Sequence, residues 1–284
     1  ERFFDIEPYH TYRDYFNVST AIAVSPESGI GTVNTIRNTK FETTFTGEVG
    51  LRGNYSTIFN YAMEVSPVDE SNLNQSLIIV TPNTIGGITE MWTDGSAIAF
   101  CPLSEDSYPY DARGIIQHEA GGHGFGKLGD EYIYHNTFID FCDCTCCEHV
   151  FEFNIAKSLG WYENLSLTGK MHEVPWSHLI FDDRYSDVVD IYEGGFMHAR
   201  GVFRSEQNSC MNNNISYYNA ISREAIVKRI MEYAGESYSF EKFVENDKRD
   251  AVNSLSRSAE RPGVTVRGNQ YAPRIHKGKP DILK

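Results

Sequence analysis

The run His118-Glu119-Ala120-Gly121-Gly122-His123 sets a carboxylate between two imidazoles, and two further carboxylates, Asp130 and Glu131, follow closely. Neutral imidazoles together with one carboxylate are good Zn²⁺ ligands, and a catalytic zinc keeps a fourth position open for water. The pKa of water held there falls to about 7, and a carboxylate that is not itself a ligand can take its proton as it attacks a carbonyl carbon. Glu119 is in place as that general base, and Zn²⁺ is the cofactor this set implies. Two blander readings compete: ordinary histidines in a glycine-rich turn, and a closed, structural metal site.

The spacing makes a structural demand. Residues i and i+4 of an ideal α-helix lie roughly 40° apart around the axis, but i and i+5 lie roughly 140° apart. His118 and His123 are five apart, so an ideal helix would split them. One π-type turn absorbs the extra residue and returns both rings to one face. Gly121 and Gly122 make that distortion sterically easy while weakening the helix. The spacing therefore predicts a bulge inside a helix running from Asp111 to about Phe125, with Ile115 and Ile116 toward the core and Gly126 ending it.

Continuing through Gly124-Phe125-Gly126-Lys127-Leu128-Gly129-Asp130-Glu131-Tyr132, the motif resembles that of the M64 family of IgA-type metallopeptidases, in which HExGH is followed by a short glycine-containing turn and LxDEY. This chain has one more residue between the histidines than the usual family form. The family looks metzincin-like, and Gly126 matches the glycine at which a metzincin chain leaves its helix. The resemblance would put the third ligand six residues after the second histidine, where this chain has Gly129, which has no side chain to offer. Asp130, the next residue, is the expected third ligand and Glu131 the alternative. A second resemblance, over Gly201-Val202-Phe203-Arg204-Ser205-Glu206-Gln207-Asn208-Ser209-Cys210-Met211-Asn212, implies that Met211 forms the Met-turn, an apolar floor beneath the metal; plain core is the other reading. The resemblance covers roughly residues 16–248. It implies an α/β, metzincin-like zinc peptidase domain: a twisted mixed sheet with the active-site helix, and a mainly helical or irregular lower half. It also implies a bacterial, secreted or cell-envelope endopeptidase acting on protein or peptide substrates. In the mechanism read from the residues the metal itself polarises the substrate carbonyl, with Tyr132 or Tyr217 as candidate aids. A non-catalytic host-protein or glycan binding module and a cell-wall peptide amidase are the rival functions.

The elements that must position these groups are read from pattern. Phe16 to Val24 is rich in β-formers and reads as a strand before the turn Ser25-Pro26-Glu27-Ser28-Gly29. Leu77-Ile78-Ile79-Val80 reads as a buried strand. Thr89 to Trp92 and Ala97 to Phe100, joined around Asp94-Gly95, read as a hairpin, either an edge that pairs with extended substrate or ordinary sheet. Val150 to Leu159 and Ile221 to Ala234 read as helices stopped by Gly160 and Gly235. A single catalytic domain is expected, with an upper part over 1–125, a lower part over 126–248 and a surface tail over 249–284.

With 284 residues, 40% of them hydrophobic, and 17 Phe and 17 Tyr, the chain can bury a sizeable core. A net charge of -14 without a basic patch argues against a nucleic-acid partner. Apolar runs fall far short of the ~20 residues of a membrane helix, so no membrane span is expected. The start at Glu1, without Met or leader, suggests that upstream sequence has been removed. Cys101, Cys210 and the cluster Cys142, Cys144, Cys146 and Cys147 suit disulfides, a second structural metal with His149, or free thiols. His172, His178 and His198 lack ligand spacing and are expected to be structural.

Overall fold

The computed structural model describes residues 1–47, 50–65, 67–82, 86–139, 146–249 and 271–282. It is a mixed α/β protein whose chain folds into two compact units, Phe16–Phe125 with Asn269–Lys284, and Glu1–Tyr15 with Gly126–Gly268. The first residues thus group with the later half of the chain, and residues 271–282 with the earlier half.

In the unit containing Phe125, strands β1 (Gly31–Thr32), β2 (Thr44–Phe45) and β3 (Leu51–Arg52) form a small sheet and lead into helix α1 (Tyr55–Met63). Asn54 starts that helix by accepting a 3.0 Å hydrogen bond from the Thr57 amide, a standard N-cap. A second sheet has β4 (Leu77–Val80), β5 (Ile88–Trp92), β6 (Ala97–Phe100) and β11 (Arg274–His276) in the order β11-β5-β6-β4. Ile58, Phe59, Ile88, Trp92, Ile98 and Phe100 are among the buried residues that pack α1 on this sheet.

Strands β5 and β6 pair antiparallel across Asp94-Gly95, with Gly95 at φ 107°, as the turn residues predicted. Neither is an edge, because β11 flanks β5 and β4 flanks β6. Of the two readings of this hairpin, ordinary sheet therefore holds and the substrate-pairing edge is overturned. Leu77–Val80 is itself an edge strand and only its last residue is buried, since no strand beyond it covers the apolar run. Phe16 to Val24 forms no strand: Val18, Ile22 and Val24 are 62%, 83% and 79% exposed, so β-formers without a pairing partner stayed open. Residues 274–276 are not a surface wrap but run parallel to β5, in register with Glu90 to Trp92.

In the other unit, β10 (Met197–Arg204) is central: it runs parallel to β7 (Ile133–Phe138) and antiparallel to β8 (Leu165–Ser166) and β9 (Tyr192–Gly195). Helices α3 (Cys146–Ser158), α4 (Ser177–Ile180), α5 (Cys210–Asn213), α6 (Ala220–Ala234) and α7 (Phe240–Asn246) complete it. The Asn219 side chain caps α6 and Gly235, at φ 70°, ends it, both from residue types suited to those positions. Among the described residues, no helix is long and apolar enough to cross a membrane.

Successive side chains of a strand point to opposite faces, so Thr89 and Glu90 of β5 serve different neighbours. Glu90 is fully buried, accepts from the Tyr55 hydroxyl at 2.8 Å, and pairs with Arg274 and, at 2.7 Å, with His276 Nε2. Removing a buried carboxylate leaves the Arg274 guanidinium uncompensated. Glu90→Ala should therefore lower folding stability by about 3 kcal/mol, read as a fall in the urea midpoint. An unchanged midpoint would show that β11 is held by its backbone ladder alone.

Candidate metal centre

Asp111 caps the helix that carries the paired histidines: its side chain accepts from the Gly114 amide at 3.0 Å, and α2 (Ala112–Ile116) follows. At Gln117 the winding changes, and Gln117–Phe125 is π-helical. The bulge demanded by the five-residue spacing is thus present and runs through nine residues, all of them buried. Hydrogen bonds from i to i+5 widen each turn enough to return His123 to the face of His118. Their Nε2 atoms stand 3.1 Å apart, with the rings nearly perpendicular at 81°.

Gly126 ends the helix, as expected, directly after Phe125. The left-handed residue is the next one, Lys127, at φ 53°, and its buried ammonium lies 5.1 Å over the Trp161 ring. Gly129 is glycine for want of room, since a Cβ there would stand 2.6 Å from Leu165 Cδ1 and 3.1 Å from Tyr162 Cγ. Asn164 holds this position from both sides, accepting from the Gly129 amide at 2.9 Å and donating to its carbonyl at 2.8 Å.

The two adjacent carboxylates then have different tasks. His118, His123 and Asp130 are all buried and each offers one ligand atom, the three lying within 4.8 Å of one another. Such a buried set of two nitrogens and a carboxylate oxygen fits an ion of zinc's kind, which binds these donors at about 2.0–2.2 Å. Glu131 is engaged elsewhere, accepting from Ser209 Oγ at 2.5 Å, Asn164 Nδ2 at 2.8 Å and Asn219 Nδ2 at 2.7 Å. Burial lifts its carboxyl above the ordinary range, against the lowering effect of these donors and of Arg204. Of the two ligand candidates, the geometry joins Asp130 to the histidines.

Glu119 is buried within the same π-helical segment. The Thr89 hydroxyl lies 2.9 Å from both the Glu119 Oε2 and its backbone carbonyl, so its one proton serves either. Gly87 packs directly on this side chain: a Cβ there would come within 2.6 Å of Glu119 Cγ. Cys101 is buried nearby, its thiol pushed well up by burial and then by the Glu119 charge. Neither Thr89 nor Gly87 was singled out in the sequence, although the alternation of β5 would have put Thr89 on one face. Asn164, Ser209 and Asn219 carry no local signal at all, since only the fold brings them to Glu131.

Met211 is fully buried in α5, a turn capped reciprocally by Ser209 and Asn212. Its carbonyl accepts from the Glu131 amide at 2.9 Å, which ties this turn to the strand-like segment beside Asp130. The tyrosines proposed as aids to carbonyl polarisation are both buried. Tyr217 donates to Glu206 Oε2 at 2.7 Å, and Tyr132 packs on Tyr134 with ring centroids 4.6 Å apart. His172 stacks on Phe181, and His178 pairs with Glu224 at 2.7 Å. Cys101 and Cys210 are unbridged thiols, so a disulfide framework through them is not formed. The side chains of Cys142, Cys144, Cys146 and Cys147 lie outside the described residues.

No protein-family model matches the chain, and no curated protein does either.

The division of labour between the neighbours is directly testable by metal analysis after dialysis against Zn²⁺. Asp130→Ala should lose bound zinc. Glu131→Gln should keep it while losing about 2 kcal/mol of stability, because a buried charged acceptor is replaced by a group that cannot satisfy all three donors. The reverse pattern would make Glu131 the ligand.

Proposed function

We propose that this protein is a zinc-dependent endopeptidase with a metzincin-like arrangement, in which His118, His123 and Asp130 hold the ion and Glu119 is the general base. The observation that carries this reading is the convergence of three buried ligand atoms within 4.8 Å, with a non-ligand glutamate adjacent to the first of them in the same π-helical segment. A purely structural site has no use for that glutamate. When bound, zinc supplies Lewis acidity, making water acidic near neutral pH and polarising a carbonyl.

The chain's own residues do the rest. Glu119 accepts the proton of the attacking water and returns it to the departing amine, a role suited to a carboxylate that is buried yet not a ligand. Thr89 orients that carboxylate by donating to it, and Gly87 admits it to close range. Met211 lies in the buried turn hydrogen-bonded to Glu131 and would supply the apolar floor. The substrate is a protein or peptide outside the cell, as the M64-like motif implies, and the protein itself is secreted or held in a bacterial envelope. A nucleic-acid partner is disfavoured by the net charge of -14.

Cleavage of a broad peptide library, with zinc content measured in parallel, tests the mechanism. Glu119→Gln should keep its zinc and lose about 10²–10⁴-fold in kcat/KM, the usual contribution of a general base. Unaltered cleavage would remove Glu119 from the mechanism, and absent cleavage by the zinc-loaded parent would remove the peptidase reading. Thr89→Val, which deletes the orienting hydroxyl at constant shape, should also keep zinc and lose about tenfold, the lower range for groups that orient a metal site. In that variant KM should stay constant while kcat falls.

A further inference from the structure

A second pair of histidines converges on the opposite principle, by long-range packing. His198 on β10 and His135 on β7 lie opposite one another across parallel strands, and His149 comes from α3. His149 Nδ1 lies 2.9 Å from His198 Nε2, close to the 3.1 Å that separates the nitrogens of His118 and His123. The His135 ring stands 6.2 Å from that of His198, centroid to centroid.

The surroundings hold this arrangement in place. Thr137 Oγ1 sits 3.0 Å from His198 Nδ1, so the other ring nitrogen has a partner of its own. With Nδ1–H donating to the Thr137 hydroxyl, this is the support a metal-ligating imidazole ordinarily has, and the lone pair of Nε2 then faces the site. The β7–β10 ladder is irregular on both sides of His198, and the two residues before it, Phe196 and Met197, have left-handed φ of 46° and 68°. Left-handed backbone in side-chain-bearing residues is unfavourable and collects where a chain must aim a functional group. Phe196 packs against the His149 ring at 5.9 Å and 78°, so the strained residue also helps to place the second imidazole.

We propose that His149 and His198, with His135 at the rim, form a second site for an imidazole-preferring divalent transition ion such as zinc. Two nitrogens 2.9 Å apart can both stand at the Zn–N distance of about 2.1 Å from one ion. This site shares no residue with His118, His123 and Asp130. The ion would tie α3 to the β7–β10 ladder.

The experiment is zinc stoichiometry of the full chain, stripped with chelator and dialysed against excess Zn²⁺, in two backgrounds: the parent and the double variant His118→Ala, His123→Ala. In each, His149→Ala should lower bound zinc by one ion per chain. Because the quantity is a difference within each background, it does not depend on whether the first site fills. No change on His149→Ala in either background overturns the proposal and leaves an N–H···N hydrogen bond between the rings. His149 is only half buried at the start of a helix, so its truncation should leave the circular dichroism spectrum intact. Should it unfold, zinc titration of the unmutated protein decides: the ring ¹⁵N resonances of His149 and His198 should shift together, and unmoved resonances would refute the site.

Discussion

Two imidazoles five residues apart on one helix can meet only if the helix is wound more widely than an α-helix, and the neighbouring architecture follows from that constraint. The π-helical run Gln117–Phe125 contains three glycines, each costing up to about 1 kcal/mol of helix propensity relative to alanine. Such a segment does not hold its shape alone. It is held because every residue is buried, and the sheet can approach because glycines make room. Gly124 gives its space to Leu77, whose Cδ1 would be 2.5 Å from any Cβ there, and Gly87 gives its space to Glu119. The residues that weaken the helix thus permit the packing that keeps it.

The same economy explains the chain beyond the helix. Gly129 has no room for a side chain, so the first carboxylate of this segment comes one residue later, at Asp130. Asp130 and Glu131 are chemically alike and adjacent, and the fold separates them by hydrogen-bond supply. Three donors from Asn164, Ser209 and Asn219 converge on Glu131, enough to accept a buried carboxylate without a metal. With that neighbour fixed, Asp130 is aimed by its own backbone, whose carbonyl accepts from Phe196 at 2.7 Å.

What could be read in the sequence was whatever is encoded locally. Spacing alone required the π turn at His118 to His123, Asp94-Gly95 marked the β5–β6 hairpin, and Gly235 marked the end of α6. Reading failed where the outcome depends on a partner distant in sequence. Phe16 to Val24 has strand composition but no strand beside it, and Leu77–Val80 looks buried but lies at an edge. Edge and ordinary sheet stayed equal readings of the hairpin because Arg274–His276, which covers β5, follows it by more than 170 residues. Gly126 ends the helix as read, but the left-handed turn at Lys127, with its ammonium over Trp161 offsetting some of the backbone cost, carries no local signal.

The two histidine pairs mark the boundary between these kinds of information. His118 and His123 are joined by one local distortion, so their spacing is a usable signal. His149 and His198 are separated by 49 residues and meet through strand register, a bulged ladder and two left-handed residues, none of which any spacing rule expresses. For His198 the sequence offered only a lone histidine, for which a structural role is the sound prior. That prior concerns composition. The structure adds geometry of another kind: both nitrogens of the ring stand near a partner, Thr137 Oγ1 and His149 Nδ1, and the two residues immediately before it have left-handed backbone. Strain of this sort persists only where surrounding contacts over-determine it. The packing of Phe196 on Tyr162, Phe153 and His149 supplies such contacts, so the same aromatic cluster that stabilises this unit also orients its imidazoles.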